Sequence, residues 1–190
     1  MVLQDPKYSL NPVRTVGEQI REACTIHHRD GRQEGKRRTL AMLEAVRIRD
    51  PERVYTLYPH EVSGGMGQRI MIAMMLVAGP RLLVADEPTS AVDVTVQLQV
   101  LAILDDLVTS RGMGLIFISH DLELVASFCD RIVIMYGGRV METRAAADLH
   151  ASTHPYTRGL LGCLPRIGGA QGRLGTLRGG VPNVSMVLFA

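Results

Sequence analysis

The chain has little cysteine and still less lysine. Its three cysteines, Cys24, Cys129 and Cys163, are far apart, odd in number and without a CxxC pair. That pattern argues for reduced thiols over a disulfide framework or a zinc site. Of the 21 basic residues only Lys7 and Lys36 are lysines, and the other 19 are arginines. Long apolar runs are also missing. The longest, residues 70–78, has nine members, against about 18 or more for a membrane-spanning helix. The opening MVLQDPKYSL has neither the basic start nor the apolar stretch of a secretory signal, so the sequence predicts a chain kept in the cytoplasm. A net charge of +2 is too small to imply nucleic acid. The local basic cluster RDGRQEGKRR reads as a solvated loop and helix start. What is present, 46% hydrophobic and 21% charged residues in 190, is the composition of one globular domain without internal repeats.

Periodicity then orders the chain. Ile20, Cys24 and His27, followed by Leu40, Leu43 and Val46, predict two amphipathic helices joined by a charged loop over residues 29–35. After Ser63, the stretch GGMGQRIMIAMMLVA is apolar almost all round, which suits a helix buried on several faces and stopped by Gly79 and Pro80. A short strand is expected over residues 82–85, a helix from about Val94 to Thr109 with Val100, Leu104 and Leu107 on one face, and a second buried strand in GLIFIS. LELVASFC reads as a helix and RIVIMYGGRVME as a hairpin turning at Gly137 and Gly138. Strand, helix, strand, helix predicts an α/β fold with a parallel sheet whose strand ends carry the chemistry. Residues 168–180 are rich in glycine and resemble a linker, and the closing VSMVLFA is apolar for a terminus.

Three places carry candidate chemistry. Asp86 and Glu87 follow four apolar residues, so a buried strand would deliver one carboxylate to a magnesium ion and the next to a water. The same residues also fit a plain strand followed by an acidic turn. Ser63 is an N-cap candidate, and Gly64 and Gly65 would let backbone amides approach a phosphate at the positive end of a helix. A simple helix cap explains them equally. His120 ends the strand GLIFISH and falls at the sheet edge expected for Asp86 and Glu87, whereas His27, His28, His60, His150 and His154 read as surface or helix-end residues.

Taken in order, these residues resemble the nucleotide-binding subunit of an ATP-binding cassette transporter. The resemblance makes SGGMGQR the signature motif, with Ser63, Gly64, Gly65 and Gln68 facing ATP across a dimer. It makes LLVADE the Walker B strand, SAVD the D-loop with Ser90 and Asp93, His120 the switch histidine, and Gln4 of LQDP the Q-loop glutamine. It implies that Asp86 and Gln4 contact magnesium, that Glu87 deprotonates the attacking water, and that His120 contacts the γ-phosphate. QDPKYSLNP, YPHEVSGGM and HPYTRGLLGCLP are similar to the di- and oligopeptide import branch, which also takes up nickel. On this likeness the fold is a partial cassette of the P-loop NTPase type. An incomplete ATP-binding domain covers residues 1–166, with a helical subdomain at about 14–62, a core at 63–142 and a peptide-importer motif at 143–166, and a glycine-rich tail covers 167–190. The implied partners are a second ATP-binding subunit, two membrane permease subunits and a periplasmic or extracellular solute-binding protein. The implied place is the cytoplasmic face of the inner membrane.

One expected motif is missing. A phosphate loop reads G-x-x-x-x-G-K-[ST], and the nearest stretch, GRQEGKR at residues 31–37, has three residues between its glycines and Arg37 in place of Ser or Thr. The sequence therefore reads as a cassette beginning after that loop, with sheet edges left open and hydrolysis by the isolated chain impaired. The cysteine-bearing segment of the peptide branch is not seen near the end either, so no iron–sulfur cluster is expected. A gene remnant, an alternative start or a frameshifted tail would each produce these ends. A non-catalytic subunit lending its signature to a partner remains open beside the importer ATPase. A soluble cassette ATPase of DNA repair or translation would need a coiled coil or basic insertions, which the sequence does not show.

Overall fold

Thr15 opens the first helix, α1 (Val16–His28). Its hydroxyl accepts the Glu18 amide at 3.3 Å while the Glu18 carboxylate accepts the Thr15 amide at 3.3 Å, a reciprocal cap that satisfies donors a helix start leaves orphaned. The computed structural model describes residues 9–29, 31–89 and 94–164, and the chain divides into two units after Ile118.

In the first unit α1 is followed by α2 (Arg32–Ala45), α3 (Pro51–Thr56), a 3-10 turn (Pro59–Glu61) and α4 (Gly64–Leu76). The helices pack on one another, α1 touching α2, α3 and α4. The buried face of α1 is Val16, Ile20 and Cys24, and His27 is exposed rather than part of it. The neighbouring His28 does the joining, its Nε2 lying 3.1 Å from the Val77 carbonyl oxygen at the end of α4. The expected charged loop over residues 29–35 is shorter than its composition suggests. Arg32 already begins α2, because Glu34 in the first turn pairs with Arg37 at 2.6 Å and Arg38 at 3.1 Å, the spacing at which helix side chains meet.

As expected, α4 is buried on several faces, with Ile70, Met71, Ile72, Ala73 and Leu76 inaccessible to solvent. Burying each large side chain contributes about 1.5–3 kcal/mol. Strand β1 (Leu82–Asp86) pairs in parallel with β2 (Gly114–Ile118) across α5 (Val94–Arg111), whose predicted inward face of Val100, Leu104 and Leu107 is buried. Strand β2 departs from its expected burial: none of its five residues is buried, and Ile116 and Ile118 are 48% and 44% exposed. An apolar strand is covered only if its sheet continues or a layer lies over it, and among the described residues this sheet has two strands.

The second unit holds α6 (Leu122–Phe128), the antiparallel hairpin of β3 (Arg131–Tyr136) and β4 (Arg139–Ala145), a 3-10 turn (Ala146–Ala151) and α7 (Pro155–Gly162). Gly137 and Gly138 have φ of 54° and 78°, the left-handed pair that a two-residue hairpin demands. Residues 168–180, read as a linker, lie outside the described residues.

Candidate functional site

Strand β1 ends in acid. The ladder runs to Asp86 opposite Ile118, and the Glu87 amide still donates to the Ile118 carbonyl at 2.9 Å, so Glu87 is held by backbone pairing one residue past the strand. There the chain turns sharply: Glu87 has φ of 47°, a left-handed conformation that disfavours any side chain by about 1–2 kcal/mol. Such strain persists where the surroundings impose it, and it gathers at functional sites. Both carboxylates are half-buried, while Pro88 and Thr89 behind them are buried.

The glycine segment is built as its sequence suggests. Ser63 caps α4, its Oγ accepting the Met66 amide at 3.4 Å. The two glycines differ. A Cβ on Gly65 would stand 2.9 Å from Cγ1 of Val96 on α5, whereas one on Gly64 would meet nothing within 4 Å. Gly65 is thus demanded by packing inside the chain, and Gly64 leaves open space at a helix N-terminus, where amide groups and the helix dipole favour an anion. Gln68, 1% exposed, donates from Nε2 to the Pro88 carbonyl, which ties the start of α4 to the turn after the acid pair. Gln68 is therefore buried, with its amide nitrogen used inside the chain.

His120 belongs to the second unit, two residues past the end of β2. It is flanked by Ser119, whose Oγ accepts the Asp121 amide at 3.1 Å, and by Asp121, which caps α6 through the Leu124 amide at 3.0 Å. Gln4, Ser90 and Asp93 lie outside the described residues. The near match to a phosphate loop is the cap and first turns of α2, with the Lys36 ammonium 5.5 Å from the centre of the Tyr55 ring.

The HPYT segment has an internal logic that sequence reasoning missed. His154 caps α7, its Nδ1 accepting the Tyr156 amide at 3.2 Å, and Pro155 occupies the first turn, where its missing N–H is harmless. Tyr156 lies against Tyr136 of β3 with ring centres 4.7 Å apart. Thr157 is fully buried and is the strongest influence holding the Glu142 carboxyl of β4 below the usual carboxylate range. Yet neither the Thr157 hydroxyl nor Oε2 of Glu142 reaches hydrogen-bond geometry, so we read the effect as that of a neighbouring dipole. The Thr153 backbone and the charge of Arg144 act in the same direction. Arg144 also lies 3.5 Å from Glu142 and donates to the Ala151 carbonyl.

Strand β1 thus ends in two acids beside the parallel β2, and the Gln68 bond ties their turn to a capped helix open at its first glycine, an arrangement able to hold a metal ion and an anion. Comparison with known proteins carries this further. Residues 1–90 match the family described as ABC transporter, and residues 141–187 match the oligopeptide/dipeptide transporter C-terminal region. The chain belongs to the ATP-binding cassette family of transporters, in the oligopeptide/dipeptide branch. It is 52% identical over 186 residues to a probable peptide ABC transporter ATP-binding protein of Sinorhizobium fredii, a match covering 97% of this chain and 56% of that protein. It is 48% identical over 184 residues to the dipeptide transport ATP-binding protein of Haemophilus influenzae, covering 96% and 56%. A glutathione import ATP-binding protein of Escherichia coli is 46% identical over 173 residues, covering 90% of this chain and 28% of that one. The chain thus spans about half the length of the first two curated relatives, 56% of each. Among solved structures, cbiO1 from Clostridium perfringens, part of the ABC transporter complex cbiONQ, aligns with a TM-score of 0.69 at 26% identity, covering 79% of this chain and 58% of that one. A bacterial ABC transporter cassette solved as a dimer aligns with a TM-score of 0.66 at 27% identity, covering 76% and 61%.

Proposed function

We propose that this chain is part of the ATP-binding subunit of a peptide importer, working peripherally at the cytoplasmic face of the inner membrane. Its partners are a second ATP-binding subunit, two permease subunits and a solute-binding protein. The observation that carries the reading is the contrast at the start of α4: Gly65 is required by Val96, while Gly64 opens on space beside the capping Ser63. Ser63 and the amides of that first turn would receive the γ-phosphate of an ATP bound mainly by the partner subunit. Gln68 would act through the turn it holds, and Ser90 and Asp93 through the same interface.

At the chain's own acid end the residues present fit magnesium and a water. Carboxylate oxygens are the donors magnesium prefers, and Asp86 supplies one at the end of a paired strand. Gln4 would complete that contact. Bound magnesium supplies charge neutralisation on the phosphates. Glu87, fixed by the hydrogen bond its amide donates to the Ile118 carbonyl, would orient a water and accept its proton, and His120 would contact the terminal phosphate. Phosphoryl transfer depends mostly on positioning and charge. The sequence contains no G-x-x-x-x-G-K-[ST] stretch, so hydrolysis at this site needs a phosphate cradle from outside these residues.

The open Gly64 beside the capping Ser63 equally suits a second reading, in which the chain lends its signature to a full-length partner and does not itself turn over. Labelled ATP with magnesium, titrated into the chain alone and with a full-length partner, separates the two. The importer-subunit reading expects nucleotide binding strengthened by the partner and hydrolysis lost with Glu87→Gln. The signature-lending reading expects Ser63→Arg to reduce the partner's hydrolysis and Glu87→Gln to leave it unchanged. Family-like hydrolysis by the chain alone overturns the proposed impairment.

A further inference from the structure

The first unit holds a cleft beside the start of α4, distinct from the acid end of β1. It has a volume of about 690 Å³ and lies between the loop at residues 46–50, α3, the start of α4 and the face of α5 that carries Gln99 and Ile103. Its floor is apolar: Ile48, Val54 and Ile103 are buried, and Leu57 and Met66 complete the lining. Its walls carry four arginines, Arg47, Arg49, Arg53 and Arg69.

The acids in the same walls are already engaged. Oδ1 of Asp50 accepts the Arg53 amide at 3.3 Å, and Oε2 of Glu61 accepts the Tyr58 amide at 2.7 Å. Arg47 is paired with Asp106. By contrast the guanidinium groups of Arg49 and Arg53 are exposed and have no side-chain partner among the described residues. Arg69 gives one nitrogen to the Arg47 carbonyl at 3.1 Å and another to Gln99, yet its Nε is buried with no hydrogen-bond partner. A buried donor left unmatched is disfavoured, and a guanidinium fork is shaped to grip a carboxylate or a phosphate with two parallel bonds. The backbone helps to shape the cleft, since Arg47 and Asp50 both adopt left-handed φ, 58° and 54°.

We propose that this cleft binds a small organic oxyanion, a carboxylate or phosphate carried on an apolar frame. The anion would lie against Arg49 and Arg53 and the frame on the Ile48, Val54 and Ile103 floor. A volume of this order suits a ligand of drug-like size, and the charge surplus of the walls selects its sign. The proposal rests on the cleft alone and stands whether or not the chain hydrolyses ATP.

The experiment is a titration of the full chain with phenyl phosphate, benzoate and, as the neutral control, benzyl alcohol. It is read by the methyl resonances of Ile48 and Ile103, with Ile116 as the distant reference. Saturable shifts at Ile48 and Ile103 with one of the anions, absent with benzyl alcohol, are expected, and the tighter of the two anions identifies the group preferred. Arg49→Gln and Arg53→Gln, both at exposed positions, are each expected to weaken the binding about tenfold or more, the loss of one charge-assisted bond, with circular dichroism unchanged. Equal shifts with benzyl alcohol, anion affinity unaltered in both variants, or no saturable shift in a folded sample would each overturn the proposal.

Discussion

Gly64 and Gly65 are adjacent and chemically identical, yet the chain constrains them differently. Gly65→Ala pushes a methyl against Val96, whose branched side chain has little freedom to move aside. Denaturant unfolding should show about 1–3 kcal/mol of destabilisation, the usual range for overpacking. Gly64→Ala meets open space and should leave the unfolding midpoint unchanged or slightly raised, since alanine is the better helix former. Its effect should appear only when ATP and a partner are present, as reduced hydrolysis. Equal destabilisation by both substitutions would remove the distinction on which the nucleotide reading of Gly64 rests. Some of this was legible in the sequence: a serine before two glycines and an apolar run announces a cap, and Ser63 is one. The left-handed backbone of Glu87 was not legible, because the residue type disfavours it. Nor was the burial of Gln68, whose partner lies 20 residues away in the chain.

At the scale of the element, α2 shows why charge is a poor marker of loops. Residues 32–35 read as loop from their charge, yet Glu34 sits where Arg37 and Arg38 can both reach it, and the sequence spacing held that clue. The Arg37 guanidinium, assisted by Arg38, holds the Glu34 carboxyl at about 2, below its ordinary 4.5. A folded value below the unfolded one stabilises the fold fully above the unfolded value and loses that contribution as pH falls through the folded one. The contribution of Glu34 should therefore be complete above a pH of 4.5 and fade towards 2. Comparing thermal midpoints of the chain and of Glu34→Gln across that window should show their difference shrinking as the acid is protonated. A difference independent of pH would assign the pairing no role. In α1 the periodicity found Ile20 and Cys24 but took His27 for the last member of the stripe. A step of eight residues from Ile20 reaches His28, which meets the Val77 carbonyl, so the error was one residue at a helix end, where a turn of 3.6 residues leaves two neighbours almost equally placed.

For the whole molecule the telling element is β2. Its composition announces a covered strand, and composition cannot say what covers it. Ile116 and Ile118, with Leu82 at 53% on β1, present apolar surface to solvent, and the parallel pair seen among the described residues is not a sheet that stands in water by itself. The chain also spans only 56% of the length of its first curated relatives. The isolated chain should consequently self-associate, and replacing Ile116 and Ile118 by threonine should weaken that association about tenfold in sedimentation experiments, in proportion to the apolar area removed. A chain that stays monomeric up to its solubility limit would contradict this. The link from Gln68 to Pro88 has a further meaning at this scale. On the proposed reading, one end of that hydrogen bond lies behind the glycine helix a subunit would offer to its neighbour, and the other behind the acids it would keep for itself. In a head-to-tail pair each chain would then act as a stiff crosspiece between two nucleotides, so a tilt begun at one would be delivered to the other without any message passing through the membrane.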